Sequence, residues 1–163
     1  MLTPAEALAQ VLASLPGPLA SERVPLAEAA GRTLAEPVRS DVDLPPFEKS
    51  MMDGFALAAA SLPAGGGRLR VVGEARAGAP FAGTVAPGTC VEIFTGAELP
   101  AGCDAVEMVE RTRREGRSIR FEAPVKAGQH VSHRAEILRV DQTVYEPRRR
   151  LSSADLSVLA TIG

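Results

Sequence analysis

Near the start of the chain, Leu8, Val11, Leu12 and Leu15 recur at helical spacing and form one apolar stripe. Thr3-Pro4-Ala5-Glu6 precedes them and reads as an N-cap, a proline at the first helical position and a capping-box glutamate. Pro16-Gly17-Pro18 ends this helix. A second, short helix fits residues 25–30, closed by Gly31. A last helix starts at Ser152 as cap, with Asp155 three residues on and Leu151 placed to pack against Leu156. Leu156, Val158, Leu159 and Ile162 give its apolar side, and Gly163 stands where a C-cap would sit.

Between these helices the apolar pattern is that of short strands, predicted at 69–72, 90–94, 105–110, 119–122 and 143–146. Gly65-Gly66-Gly67, Ala86-Pro87-Gly88, Leu99-Pro100-Ala101-Gly102 and Glu115-Gly116 mark turns between them. Strands at roughly ten-residue spacing with no helix between them argue for an antiparallel meander or a small barrel, and against a doubly wound parallel sheet. The expected fold class is α+β: a mixed helical/β lobe from residues 1–44 plus 137–163, with an inserted β-rich lobe, barrel-like or meander, from residues 45–136.

Length and composition bound what such a chain does. Its 163 residues suffice for one compact domain or two small lobes. Apolar residues at 45% and charged residues at 23% are ordinary for a globular protein, while 15 Gly and 13 Pro favour turns over long helices. A net charge of -2, from 18 basic and 20 acidic residues, argues against a dedicated nucleic-acid binder. No apolar run approaches the roughly 20 residues of a membrane span, and the N-terminus lacks a signal-peptide pattern. The two cysteines, Cys90 and Cys103, give no disulfide framework, and a reduced, cytoplasmic setting is expected.

Three segments could carry chemistry. In the run from Leu44 to Ala56, Pro45-Pro46 stiffens the approach, Phe47 and Phe55 are placed to anchor both ends, and Ser50 and Asp53 lie between. Gly54 allows a positive φ or a close backbone approach. Asp53 reads either as a carboxylate presented for chemistry or as the acceptor of backbone N–H groups inside a buried turn. In the second segment a strand runs into Thr95-Gly96, reading either as a bare-amide cradle for an oxyanion or phosphate, with the Thr hydroxyl beside it, or as a plain strand exit. No Gly-Lys-Ser/Thr follows, so it is not a P-loop. The third segment, Gly128 to Glu136, holds His130 and His133; with no local Cys or Asp to complete a tetrahedral set, surface histidines are the leading reading. Arg148-Arg149-Arg150 reads as a solvated or helix-flanking run, Cys90 as a small core residue, and Cys103 as a turn residue that nothing marks as a nucleophile.

Taken together these motifs resemble the N-terminal region of the molybdopterin molybdenumtransferase family, which includes the C-terminal part of gephyrin. That family reads Pro-Pro-Phe-Asp-Asn-Ser-x-Met-Asp-Gly-Tyr-Ala where this chain has Pro45 to Ala56, and Ile-x-Thr-Gly-Ala-x-Leu-Pro-x-Gly-Ala-Asp-Ala-Val where it has Ile93 to Val106. Gly73 to Pro80, Val85 to Gly88 and Leu151 to Gly163 also fit, in order along the chain. The resemblance implies insertion of molybdenum from molybdate into adenylylated molybdopterin with release of AMP, assisted by a divalent cation such as Mg. It implies homodimers of four-domain chains. This chain would supply the first two domains, without the pterin-binding and C-terminal domains. It would form one wall of the cleft, be inactive alone, and be a monomer or weak dimer. No nucleic-acid or membrane partner is implied.

By motif position, Asp53 and Thr95 match catalytic-cleft residues, Asp53 also as a metal ligand, with Ser50, Gly96 and Arg134 as substrate-binding candidates. Thr95 with the Gly96 turn would donate to molybdate or phosphate oxygens, and Asp53 would orient a donor or hold the cation. The chain departs from the family where Asn-Ile-Arg-x-x-Gly-Glu-Asp becomes His130 to Ile137: a guanidinium becomes Ser132 and a carboxylate becomes Ile137. Arg134 or His133 is a candidate substitute for the lost cation. Glu48-Lys49 replaces Asp-Asn. These departures carry the alternative reading, a catalytically degenerate binding or assembly module with the same fold.

Overall fold

The computed structural model describes residues 2–17 and 19–162; the helix stop at Pro18 and the C-cap at Gly163 lie outside the described residues. The chain is mixed α+β and divides into two compact units, 1–37 with 146–161 and 38–145 with 162–163. Segments 38–44 and 137–145 thus belong by their contacts to the β-rich unit.

In the first unit, α1 (Pro4–Ser14) carries the expected capping box. Thr3 Oγ1 accepts from the Glu6 N–H, and Glu6 Oε2 accepts from the Thr3 N–H at 2.7 Å. Its apolar stripe of Leu8, Val11, Leu12 and Leu15 is exposed, and α1 buries no residue in this chain. The short helix at 25–30 is one 3₁₀ turn, Leu26–Glu28, ending ahead of Gly31, whose φ of +76° suits glycine. Residues 31–34 and 148–151 run antiparallel, joined by Gly31 N–H to Leu151 O, Leu34 N–H to Arg149 O and Leu151 N–H to Arg32 O. The arginine run flanks α2 (Ser153–Ile162): Arg149 pairs with Asp155, which also caps the helix through the Ser152 N–H and hydroxyl.

In the second unit, β1 (Val38–Arg39) pairs with β10 (Thr143–Tyr145), and β2 (Lys49–Ser50) pairs with β9 (Val131–Ser132). A curled, half-barrel sheet of six strands has the order β6-β3-β5-β4-β8-β7. Its members are β3 (Gly54–Leu57), β4 (Gly67–Ala75), β5 (Thr89–Ile93), β6 (Ala105–Met108), β7 (Thr112–Glu115) and β8 (Ser118–Phe121). The pairs are antiparallel except β4 with β5, which is parallel, so the sheet is not a simple meander. Phe55, Leu57, Leu69, Cys90, Ile119 and Phe121 fill one side of the central strands; Ala56, Ala75, Val91, Ile93 and Val106 fill the other.

Burial on both sides explains why β3 escapes sequence patterning: all four of its residues are buried, leaving no alternation to read. β7 escapes for the opposite reason. Thr-Arg-Arg-Glu is a charged edge strand with no apolar position. Phe55 anchors the 44–56 segment, in edge-to-face contact with Phe121, whereas Phe47 is not part of the core and is 37% exposed.

The crowded point of the unit is Gly54. A Cβ there would stand 1.9 Å from the Glu107 carbonyl oxygen, so close approach, not positive φ, is what the glycine supplies. Gly54→Ala is expected to destabilise this unit by about 3 kcal/mol or more, at the top of the usual overpacking range. Gly96→Ala has open space but a φ of +81°, and is expected to cost about 1–2 kcal/mol. Urea unfolding followed by circular dichroism gives both values.

Candidate functional site

Register brings the two motif residues together. β3 pairs with β5 so that Gly54 faces Ile93; the residue before Gly54 and the turn after Ile93 therefore meet at one end of the sheet. There Asp53 Oδ1 accepts two hydrogen bonds from Thr95, from its N–H at 2.7 Å and from its hydroxyl at 2.6 Å. Both residues are exposed. The two donors favour the ionised form, first the hydroxyl and then the amide, and hold the Asp53 carboxyl below the ordinary aspartate range. Asp53 Oδ2 has no hydrogen-bond partner among the described residues, on an exposed carboxylate fixed by its other oxygen. Asp53 thus accepts a backbone N–H as a turn aspartate does, but at the surface, not in a buried turn.

The oxyanion cradle expected at Thr95-Gly96 is not there. The Thr95 N–H and hydroxyl both go to Asp53, the Gly96 N–H goes to Ser50 O at 2.9 Å, and the Ala97 N–H goes to Phe94 O. With these donors engaged, the turn presents the carboxylate of Asp53 and the acceptor lone pairs of the Thr95 hydroxyl. It can serve a cation or a hydrogen-bond donor, and it offers an anion nothing. Gly96 therefore acts on the turn's shape and not on a ligand.

Ser50 is likewise taken up within the fold. It is buried, its hydroxyl donates to Met52 O at 2.6 Å and accepts from the Met52 N–H, and its backbone braces the opposite turn through Ala97 O and the Gly96 N–H. Its one donor is used and the side chain is buried, so it presents no donor to a substrate. Arg134 is held by Asp43, with Nε to Oδ2 at 2.7 Å, and no recorded contact joins it to Asp53 or Thr95. The pairing also draws the Asp43 carboxyl down, behind the larger effect of the Val140 N–H.

The histidines do not converge. His130 Nδ1 lies 3.1 Å from Val106 O and the residue is half-buried with φ 54°, so it is not a surface histidine. His133 Nδ1 lies 3.0 Å from Glu48 Oε1. Ser132 donates to Glu136, and Ile137 is 72% exposed. No group of three His, Cys, Asp or Glu side chains among the described residues could enclose a metal ion. Cys90 and Cys103 are both free, and burial pushes each thiol up to about 12, which leaves them un-ionised at neutral pH.

Two contacts were not visible in the sequence. Arg76 stacks over Phe94, the residue before Thr95, with its guanidinium 4.9 Å from the ring centroid and forked onto Glu74. Glu107 is buried in β6 and ties the third segment to the sheet by accepting from Gln129 at 3.1 Å. A glutamate flanked by Val106 and Met108 was the signal for the second; nothing in the sequence signalled the first.

The family pattern described as "MoeA N-terminal region (domain I and II)" matches residues 2–163. The chain belongs to that family. It is 38% identical over 151 residues to a molybdopterin molybdenumtransferase of Synechococcus elongatus, covering 90% of this chain and 38% of that protein. It is 35% identical over 164 residues to one of Haemophilus influenzae, covering all of this chain and 40% of that protein. A crystal structure titled as the molybdopterin biosynthesis MoeA protein of Pyrococcus horikoshii superposes with a TM-score of 0.89 at 28% identity, across all of this chain and 43% of that one. The chain thus spans about two-fifths of the length of these relatives.

The Thr95 donors make a direct prediction. Thr95→Val deletes the hydroxyl donor and keeps the amide, so the Asp53 carboxyl should titrate at higher pH, back toward the ordinary aspartate value, in a ¹³C NMR titration. A depressed carboxyl stabilises the fold above its unfolded pKa, and that contribution disappears as pH falls through the folded value. The variant should therefore lose pH sensitivity on the acid side only.

Proposed function

We propose that this chain is the domain I and II part of a molybdopterin molybdenumtransferase, acting in molybdenum cofactor biosynthesis. In this reading the full protein inserts molybdenum from molybdate into adenylylated molybdopterin and releases AMP, as a homodimer in the cytoplasm, and this chain forms one wall of the cleft without activity alone. The observation that carries the reading is the Asp53–Thr95 pair at matching motif positions, inside a family match spanning residues 2–163.

Asp53 is the acceptor and offers Oδ2; Thr95 is the positioning residue that fixes it. The donor set fits a Mg ion only as one carboxylate ligand, as Mg commonly binds with the remaining positions taken by water and substrate phosphates. Bound there, the cation would neutralise phosphate or oxoanion charge that Asp53 alone would repel. With Ser50, Gly96 and Arg134 engaged elsewhere, the anionic parts of the substrates are held by groups other than these three.

A second reading keeps the fold and drops the chemistry. Ser132 and Ile137 stand where the family has a guanidinium and a carboxylate, and in the structure one is tied to Glu136 and the other lies in solvent. A non-catalytic module predicts no molybdate or AMP binding even with a pterin-binding domain added in trans.

Asp53→Asn keeps an acceptor for Thr95 and replaces the free oxygen by an NH₂ group. In the full-length protein it should lower AMP release from adenylylated molybdopterin by at least about tenfold, with only a small drop in melting temperature from the loss of the charged acceptor. Unchanged turnover in that variant, or AMP release by residues 1–163 alone, would overturn the transferase reading as stated.

A further inference from the structure

On the β-rich unit, one row of the sheet is built from like charges. Arg68 of β4 sits directly opposite Arg120 of β8, and Arg120 sits directly opposite Arg113 of β7. Neighbouring strands lie about 4.8 Å apart, so three guanidinium stems are ranked side by side on one face. Arg70, two residues from Arg68, projects from the same face. All four are exposed. Only Arg68 has an ion-pair partner among them, Glu115; Arg70, Arg113 and Arg120 have none among the described residues.

Like charges directly across strands destabilise a sheet, and this row does so in a chain whose net charge is -2. Next to the row lies a cavity of about 390 Å³, lined by Gly65, Gly66, Gly67, Arg68, Arg120 and Glu122 among others. Gly66 has φ +84°, and a Cβ on it would stand 2.3 Å from Phe121 O, so glycine is required for the turn to lie against β8. Gly65 has open space around it, which leaves the mouth without a side chain.

We propose that this arginine row and its glycine turn bind a compact polyphosphate anion, a di- or triphosphate group either free or as the tail of a nucleotide. The cavity is of small-ligand size, not peptide size. Guanidinium forks bind phosphate oxygens two at a time; Arg68 and Arg120 line the cavity, Arg113 extends the row one strand further, and the Glu122 carboxylate on the rim opposes an anion, so an anion carrying charge at several linked centres matches the row best. Bound phosphate turns the cross-strand repulsion into shared attraction. Glu115 competes for Arg68 and sets the affinity from below. The site shares no residue with the Asp53–Thr95 pair, so it stands or falls independently of the transferase reading.

The test is calorimetric titration of the whole chain with inorganic tripolyphosphate at low salt. Saturable one-to-one binding that weakens with added salt is expected. Arg113→Gln with Arg120→Gln should weaken it at least about tenfold, the loss typical of charged hydrogen bonds. Glu115→Gln frees Arg68 and should tighten binding several-fold, a gain that misfolding cannot mimic. ATP binding as well as tripolyphosphate supports a free phosphate tail as the recognised unit, and tighter ATP binding supports a nucleotide. Absence of saturable binding, equal affinity in the double variant, or tighter binding of a polyglutamate peptide than of tripolyphosphate overturns the proposal.

Discussion

The β-rich unit depends on a backbone crossing. β3 lies between β5 and β6 with the Glu107 carbonyl oxygen where a side chain on Gly54 would have to be. Only glycine lets the strands close at that point, and the closure sets the register that follows: Gly54 against Ile93 on one side and against Met108 on the other. Asp53 and Thr95 are 42 residues apart in sequence, yet they become neighbours because they lie just beyond the same paired rung. The site is therefore a product of strand register, not of either loop by itself.

Register also decides the sign of the site. A turn containing Thr and a left-handed glycine is often drawn as a nest for an anion. Here the same amides are called on elsewhere: Ser50 O takes the Gly96 N–H and Asp53 takes both Thr95 donors. A donor bound to a carboxylate is closed to a second anion, and the carboxylate adds negative charge beside it. The turn is thus converted from an anion site to an oriented acceptor. On the same unit, Arg68, Arg120 and Arg113 stand opposite one another across three strands.

What could be read from the sequence divides along physical lines. Local signals were legible because they are settled within a few residues: the Thr3–Glu6 capping box, the Ser152–Asp155 cap and the glycine turns. Strands with one apolar run, such as β5 and β8, were legible within a residue or so. β3 and β7 were not, since one is buried on both faces and the other is a charged edge. The pairing of Asp53 with Thr95 was legible only through motif resemblance. Whether Thr95 would donate outward or to Asp53 was not legible at all, because it turns on a rung of strand pairing. Ser50 failed for a different reason: its hydroxyl closes a local turn onto Met52, two residues away, which a motif written as residue types does not reveal.

A carboxylate held by two donors on one oxygen is a stiff ligand, and stiffness has value only if something meets the other oxygen. One oxygen is one ligand, whereas a magnesium ion takes six in near-octahedral order and dehydrates reluctantly. No third acidic or imidazole group among the described residues stands ready to complete a cage. On the proposed transferase reading, the pair would be half of a clamp, with a ligand that brings its own oxygens, such as a phosphate, as the other half. In such an arrangement a single well-placed aspartate contributes most, since the cation would be held only with the anionic ligand present. The fold supplies direction through the two Thr95 donors, and on that reading the ligand would supply the rest of the coordination.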